Sequence, residues 1–163
     1  MNQGDVLAFL AADNRYKMIL CTSVYTLRSP HNYTFAALTY DDERMPLITD
    51  AMNSDFWGVA NFKDGIFKYP NQELENMWVM HPEIKPYYLG SYSFVIWRKD
   101  FLQFKDKMIF VGNLKIVNGL DKNGNGGANA SSLGFLQRFF NNEISSILGY
   151  RSQKMFKVRS IIS

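Results

Sequence analysis

The stretch GDVLAFLAADNRYKMILCTSVYT, residues 4–26, decides the fold. It contains a short apolar run, an Ala-Asp-Asn-Arg turn and a second run that is largely apolar on both of its faces. Asp and Asn favour turns because their side chains hydrogen-bond to nearby backbone groups. A strand with two apolar faces is covered on both sides. We therefore predict an antiparallel hairpin whose second strand is central in a sheet.

Working outward, four further segments show the patterns of strands. They are residues 33–40, 87–97, 108–118 and 154–162. Gly90 and Gly112 lie inside two of them, and glycine inside a strand indicates a bulge or sharp bend. The Asp64-Gly65 pair predicts a hairpin turn within residues 60–70, and a short helix is predicted over 71–80.

One helix is predicted with a clear apolar stripe, over about residues 131–148. The stripe is formed by Leu133, Leu136, Phe140, Ile144, Ile147 and Leu148. Ser131 or Ser132 can cap its beginning and Gly149 suits its end. The predicted fold class is α+β: a strongly bent antiparallel sheet or partial β-barrel with this main C-terminal helix packed on it. Residues 1–163 are predicted to form one domain.

Composition narrows the class of protein. Apolar residues make up 47% and charged residues 20%, which indicates a globular chain. The 15% of aromatic residues suits a β-sheet core. Cys21 is the single cysteine, so no intramolecular disulfide can form and a reducing compartment is favoured. The N-terminal residues lack the basic region of a signal peptide. No apolar run approaches the roughly 18–20 residues of a membrane span. We expect a cytoplasmic protein without a membrane segment.

A possible ion-binding loop is LDKNGNGGANASS, residues 120–132. Asp121, Asn123 and Asn125 occupy the first, third and fifth positions of a calcium loop. Ser132 stands at the twelfth position, where such a loop needs a bidentate glutamate. We interpret the segment as a glycine-rich connection, at most a weak ion site, and predict no metal and no cofactor.

Residues for catalysis are sparse. Cys21 lies mid-strand among apolar neighbours, where a thiol is usually inert. His31 and His81 are the two histidines. Nothing in the sequence brings either of them next to a nucleophile, as nucleophilic catalysis requires. We predict that the protein is not an enzyme; a hydrolase or nuclease built around the two histidines is the alternative.

Two kinds of binding surface remain open. The adjacent acids Asp41, Asp42 and Glu43 lie in a turn and are either a solvated turn or a docking patch for a basic protein. The Tyr/Trp strand 87–97 and the basic tail 150–163 are either sheet core and a solvated strand edge or a surface for nucleic acid. In the second case the protein is a small nucleic-acid-binding β-barrel.

The beginning of the chain also resembles a known family. The Gly-Asp pair, short apolar strand, Asp-Asn-x-Tyr turn and second apolar strand of QGDVLAFLAADNRYKMILCTSV resemble the immunity protein 26 family of bacterial polymorphic toxin systems, over about the first 25 residues. Lys17 and Met18 follow the turn tyrosine, where a typical member has glycine. The resemblance implies a non-catalytic cytoplasmic protein that binds and neutralises a cognate toxin. The candidate binding residues are Asp41, Asp42, Glu43, Asp55, Tyr88 and Tyr92.

Overall fold

The predicted hairpin is present. In the computed structural model, which describes residues 1–57, 93–116, 127–144 and 156–162, strand β1 (Asp5–Leu10) pairs antiparallel with β2 (Tyr16–Tyr25). Asn14 in the turn has a φ of 59°, a conformation that asparagine tolerates better than most residues. Residues 17–22 of β2 are buried on both faces, as expected for a central strand.

The remaining elements are short. In chain order they are β3 (Asn32–Ala37), α1 (Ile48–Asn53), β4 (Asp55–Phe56), β5 (Ser93–Trp97), α2 (Arg98–Phe104), β6 (Ile109–Asn113), β7 (Gly127–Asn129), α3 (Leu133–Arg138) and β8 (Phe156–Lys157). Two 3-10 turns cover Lys105–Lys107 and Val158–Ile161, and a π-helical turn at Phe139–Glu143 continues α3. Within the described ranges, none of the helices has the length and apolarity that crossing a bilayer requires.

The main sheet has the strand order β6-β1-β2-β3-β5-β7. Its first five strands are antiparallel, and β7 joins β5 in parallel. Register shifts in β1 between Val6 and Leu7 and in β2 between Cys21 and Ser23 mark bulges, which bend a sheet. Gly112, with φ of 155°, lies opposite the first shift, as its position in the sequence predicted. The α+β class with a bent antiparallel sheet is confirmed, and the sheet is open rather than closed into a barrel.

Helices α2 and α3 cover one face of the sheet. The rings of this core include Phe9, Phe35, Phe94, Phe101, Phe139 and Phe140. Ser132 accepts a hydrogen bond from the Phe135 N–H at 3.2 Å, so the predicted cap of the C-terminal helix is confirmed. The high aromatic content thus serves, in the described residues, mainly to fill the space between sheet and helices.

The opposite face is covered by α1 and by the β4–β8 pair. Ala51, Phe56 and Val158 are wholly buried there against the alternate residues of β1 and β2. Because both faces of the sheet are covered, its central strands have no solvent-facing side.

Three sequence predictions need correction. The strand predicted over 154–162 is, in the described residues 156–162, a strand at Phe156–Lys157 that continues into a 3-10 turn, because the Val158 N–H donates to the Ser54 carbonyl at 3.0 Å and the Val158 side chain enters the second core. The strands predicted over 33–40 and 108–118 are shorter, ending at Ala37 and at Asn113. Helix α2 was not predicted. The predictions for residues 60–80, for Gly90 and for 145–149 lie outside the described residues.

Candidate functional site

The predicted acidic turn begins the 41–47 loop, which connects β3 to α1. The loop lies beside the turn of the first hairpin, because the backbones of Tyr16 and Asp42 form an isolated antiparallel bridge. The Tyr16 N–H donates to the Asp42 carbonyl at 2.6 Å. A local turn in the sequence is therefore anchored to a strand about 25 residues earlier in the chain.

Asp41 is the counterion of two basic residues on either side of Tyr16, Arg15 and Lys17. Its carboxylate accepts a hydrogen bond from the Arg15 Nε–H and lies 2.8 Å from the Lys17 Nζ. Lys17 is only 3% exposed and also lies 3.0 Å from the Asp13 carboxylate. A buried ammonium must be paired to remain charged, so Asp13 and Asp41 stabilise the Lys17 side chain in place.

Arg44 and Asp50 fix the second half of the loop. The Arg44 guanidinium is 2.8 Å from the Asp50 carboxylate, which also accepts the Leu47 N–H at 2.7 Å. Asp42 accepts the Arg44 N–H at 2.9 Å, and the Tyr40 hydroxyl donates to the Arg44 carbonyl at 2.7 Å. These bonds restrict the backbone of the 41–47 loop.

The 41–47 loop exposes apolar side chains. Met45 is 52% exposed and Leu47 is 60% exposed, while Pro46 between them is buried. The Glu43 side chain is 83% exposed, and its nearest cation is Arg15 at 3.9 Å. The loop thus presents two apolar side chains beside an outward-facing carboxylate. Sequence reasoning identified the acids but missed Met45 and Leu47; two apolar residues within a charged, proline-containing turn were the available signal.

Asp55, another candidate residue, is not part of this loop. Asp55 lies in β4, where its carboxylate is 3.1 Å from the Lys157 Nζ of β8. Tyr88, Tyr92 and the segment with Asp121, Asn123 and Asn125 lie outside the described residues. In the described ranges, no group of three or more His, Cys, Asp or Glu side chains is arranged to bind a metal ion.

The structure describes part of each segment of the possible nucleic-acid surface, residues 93–97 of the Tyr/Trp strand and residues 156–162 of the basic tail. In the described part of the tail, Lys157 contacts Asp55, and the Arg159 guanidinium donates to the Asn53 amide oxygen at 2.7 and 3.0 Å. Strand β5 lies between β3 and β7, with Phe94 wholly buried. In these described residues, Phe94 fits the core interpretation of its strand, and Lys157 and Arg159 have polar partners within the protein.

Cys21 and His31, the histidine within the described residues, do not form a catalytic pair. Cys21 is wholly buried in β2, and burial raises the pKa of its thiol to about 12. His31 is exposed and precedes β3. A thiol with so high a pKa is not a nucleophile near neutral pH, because the thiolate is the reactive form.

The chain matches no protein-family model. No curated protein and no solved structure is significantly similar to it. The described residues define its class, an α+β domain with an open bent sheet covered on both faces. The resemblance to immunity proteins stays a prediction.

The ion pairs of the 41–47 loop are expected to make stability depend on acid pH. Burial raises the pKa of Asp41, but hydrogen bonds from Lys17 and Arg15 outweigh it and hold the pKa below its usual range. The hydrogen bond from Arg44 and the Leu47 N–H lower the pKa of Asp50. Their stabilisation is complete above the unfolded-state carboxyl pKa of about 4 and is lost as pH falls through the lower folded-state values.

This prediction is measured by urea unfolding between about pH 2 and 6, where stability should fall toward acid. The Asp41→Asn variant should show a shallower fall than the native chain. Glu43→Gln, which removes a neighbouring exposed carboxyl, is the matched control and should keep the native slope. Equal slopes for Asp41→Asn and the native protein would contradict the ion-pair explanation.

Proposed function

We propose that this protein is a non-catalytic binding protein of the immunity type, which binds and neutralises a basic protein toxin through the 41–47 loop. The observation that carries the proposal is the loop itself: a backbone fixed by side-chain hydrogen bonds, with Met45 and Leu47 exposed beside acidic residues.

A fixed backbone favours tight binding. Ordering a flexible loop at an interface costs free energy, and a loop that already has its bound conformation avoids most of that cost. The bonds of Arg44 to Asp50 and of Tyr40 to Arg44 restrict the 41–47 loop before any partner arrives. The loop can therefore dock nearly as a rigid body.

Exposed apolar side chains supply the anchor. Met45 and Leu47 are on average more than half exposed, so a partner pocket that covers them removes apolar surface from water. Methionine is flexible and adapts to an irregular pocket. Acidic residues around such a centre provide the polar rim that is typical of protein interfaces.

Charge complementarity indicates the kind of partner. The negative charge of Asp41 is balanced by its ion pairs with Lys17 and Arg15, whereas Glu43 and Asp42 lie at the exposed surface. A partner with a cationic cleft, such as an enzyme that acts on nucleic acid, presents the complementary surface. The toxin is inhibited by occlusion, because the 41–47 loop fills the partner's cleft and keeps substrate out.

The proposal is tested with the protein encoded immediately upstream of this chain. Expressed alone, that protein should inhibit growth, and coexpression of this chain should restore it. The Met45→Ala/Leu47→Ala double variant should bind the purified upstream protein at least about 30-fold more weakly, as loss of a central apolar anchor does. Isothermal titration calorimetry measures the affinity.

Leu27→Ala is the matched control, because Leu27 is 88% exposed and lies before β3 rather than after it. Its affinity should equal that of the native chain. An upstream protein that does not inhibit growth, growth inhibition that this chain does not relieve, or a double variant that binds as well as Leu27→Ala would each refute the proposal.

A further inference from the structure

A concave surface lies at the end of β3 opposite the 41–47 loop. It is a cleft of about 240 Å³ lined by Ser29, Pro30, His31, Arg98, Lys99 and Leu102, and we call it the cationic cleft. One wall is the connection from β2 to β3, and the other is the first turns of α2. The Arg98 N–H donates to the His31 carbonyl at 2.9 Å, so the two walls are joined at the base.

The lining combines positive charge with apolar surface. Arg98 and Lys99 are exposed, and the described residues that line the cleft include no acid. Lys99 Nζ lies 4.8 Å from the centre of the Trp97 ring, a contact that limits where the ammonium can go. Pro30 and the 46% exposed Leu102 supply the apolar part.

We propose that the cationic cleft binds an acidic peptide segment of a partner protein. A carboxylate of the peptide pairs with Arg98 and Lys99, and an adjacent apolar side chain covers Leu102 and Pro30. This goes beyond the function proposed above: the cleft precedes β3 and the 41–47 loop follows it, so this six-residue strand, about 17 Å long at the usual rise, lies between the two surfaces along the chain. The two surfaces also select opposite charges.

The lining favours a peptide over a nucleic acid. Proteins that bind single strands stack the bases on aromatic side chains, and among the described residues that line the cleft there is no Phe, Tyr or Trp. One face of the nearby Trp97 ring is occupied by Lys99. The volume is below the roughly 300–1,000 Å³ of sites for larger organic ligands, which suits one or two peptide side chains.

The test uses a fluorescein-labelled heptapeptide of alternating Glu and Leu, with Gln-Leu and Lys-Leu peptides of equal length for comparison. Fluorescence anisotropy with the full chain should detect binding of the Glu-Leu peptide alone. The Arg98→Ala/Lys99→Ala double variant should weaken that binding at least about tenfold, as expected for loss of charge-assisted hydrogen bonds.

The Lys105→Ala/Lys107→Ala variant is the matched control. It removes the same charge from exposed positions on the turn after α2, outside the lining of the cleft. Circular dichroism verifies that both double variants fold, and all four side chains are exposed.

Native-like binding by the Lys105/Lys107 control together with weak binding by the Arg98/Lys99 variant would support the proposal. Three results would overturn it: no binding of the Glu-Leu peptide at millimolar concentration, equal weakening in both variants, or tighter binding of an oligothymidine that competes with the peptide. Single Arg98→Ala and Lys99→Ala variants replace the double variant if the double variant does not fold.

Discussion

Replacing Phe94 by alanine is expected to lower the free energy of unfolding by about 3–5 kcal/mol. Phe94 is wholly buried in β5, where its ring centre lies 5.0 Å from that of Phe139 and 5.8 Å from that of Phe140. The substitution removes the ring on which the C-terminal helical segment packs and leaves a cavity that the rigid sheet cannot close. Urea unfolding followed by circular dichroism measures the loss.

Phe110→Ala is the control for this prediction. The same chemical group is removed from β6, but Phe110 is 62% exposed, so the expected change is within about 0.5 kcal/mol. Similar losses for the two variants would mean that the ring of Phe94 is not a central part of the core.

Replacing Gly4 by alanine is expected to cost about 3 kcal/mol or more, because two penalties add. Gly4 has a φ of 88°, which residues with a Cβ rarely adopt. A Cβ at this position would also overlap the carbonyl oxygen of Leu114. Neither group can move easily, since Gly4 donates to the Cys21 carbonyl and accepts the Leu114 N–H, each at 2.8 Å.

Gly134→Ala is the matched substitution. Gly134 lies in α3, and a Cβ there would approach only Arg138 and Ser132 side-chain atoms, at 3.8 and 3.9 Å. Alanine should stabilise this helix by up to about 1 kcal/mol, since it restricts the unfolded chain and favours helix. The two variants should therefore shift the urea midpoint in opposite directions. A Gly4→Ala variant as stable as the native chain would show that the close approach of Gly4 to Leu114 is dispensable.

The predictions that succeeded rest on local patterns. The Asp-Asn turn between two apolar runs indicates a hairpin, and Asn14 has the turn conformation that the residue type allows. The repeat of apolar residues every three or four positions after Ser132 indicates a helix, and Ser132 caps it. Such signals are readable because both the period and the cap involve residues only a few positions apart.

The predictions that failed depend on distant partners. Phe156 and Val158 alternate with charged residues as a strand does, yet the chain turns at Val158 to follow Ser54 and the second core. In α2 the apolar residues Phe101 and Phe104 are too few to distinguish helix from strand until the sheet they cover is known.

The candidate site, too, could be predicted from the sequence only in its local features. Its acids and its turn were apparent from the residues Asp41, Asp42 and Glu43. Their roles were not, because Arg15 and Asp41 are 26 positions apart in the chain and only the bridge between β2 and the loop brings them together.

The amino-acid sequence by itself determined the class of fold, the first hairpin, the C-terminal helix and the burial of Cys21, because propensity and periodicity act over a few neighbouring residues. Only the tertiary structure decided that Lys17 is buried between two carboxylates, that Met45 and Leu47 face solvent on a hydrogen-bonded loop, and that Arg98 meets His31 at a cleft. Ion pairs, exposure and clefts arise between segments that are distant along the chain, and they exist only once the sheet has brought those segments together.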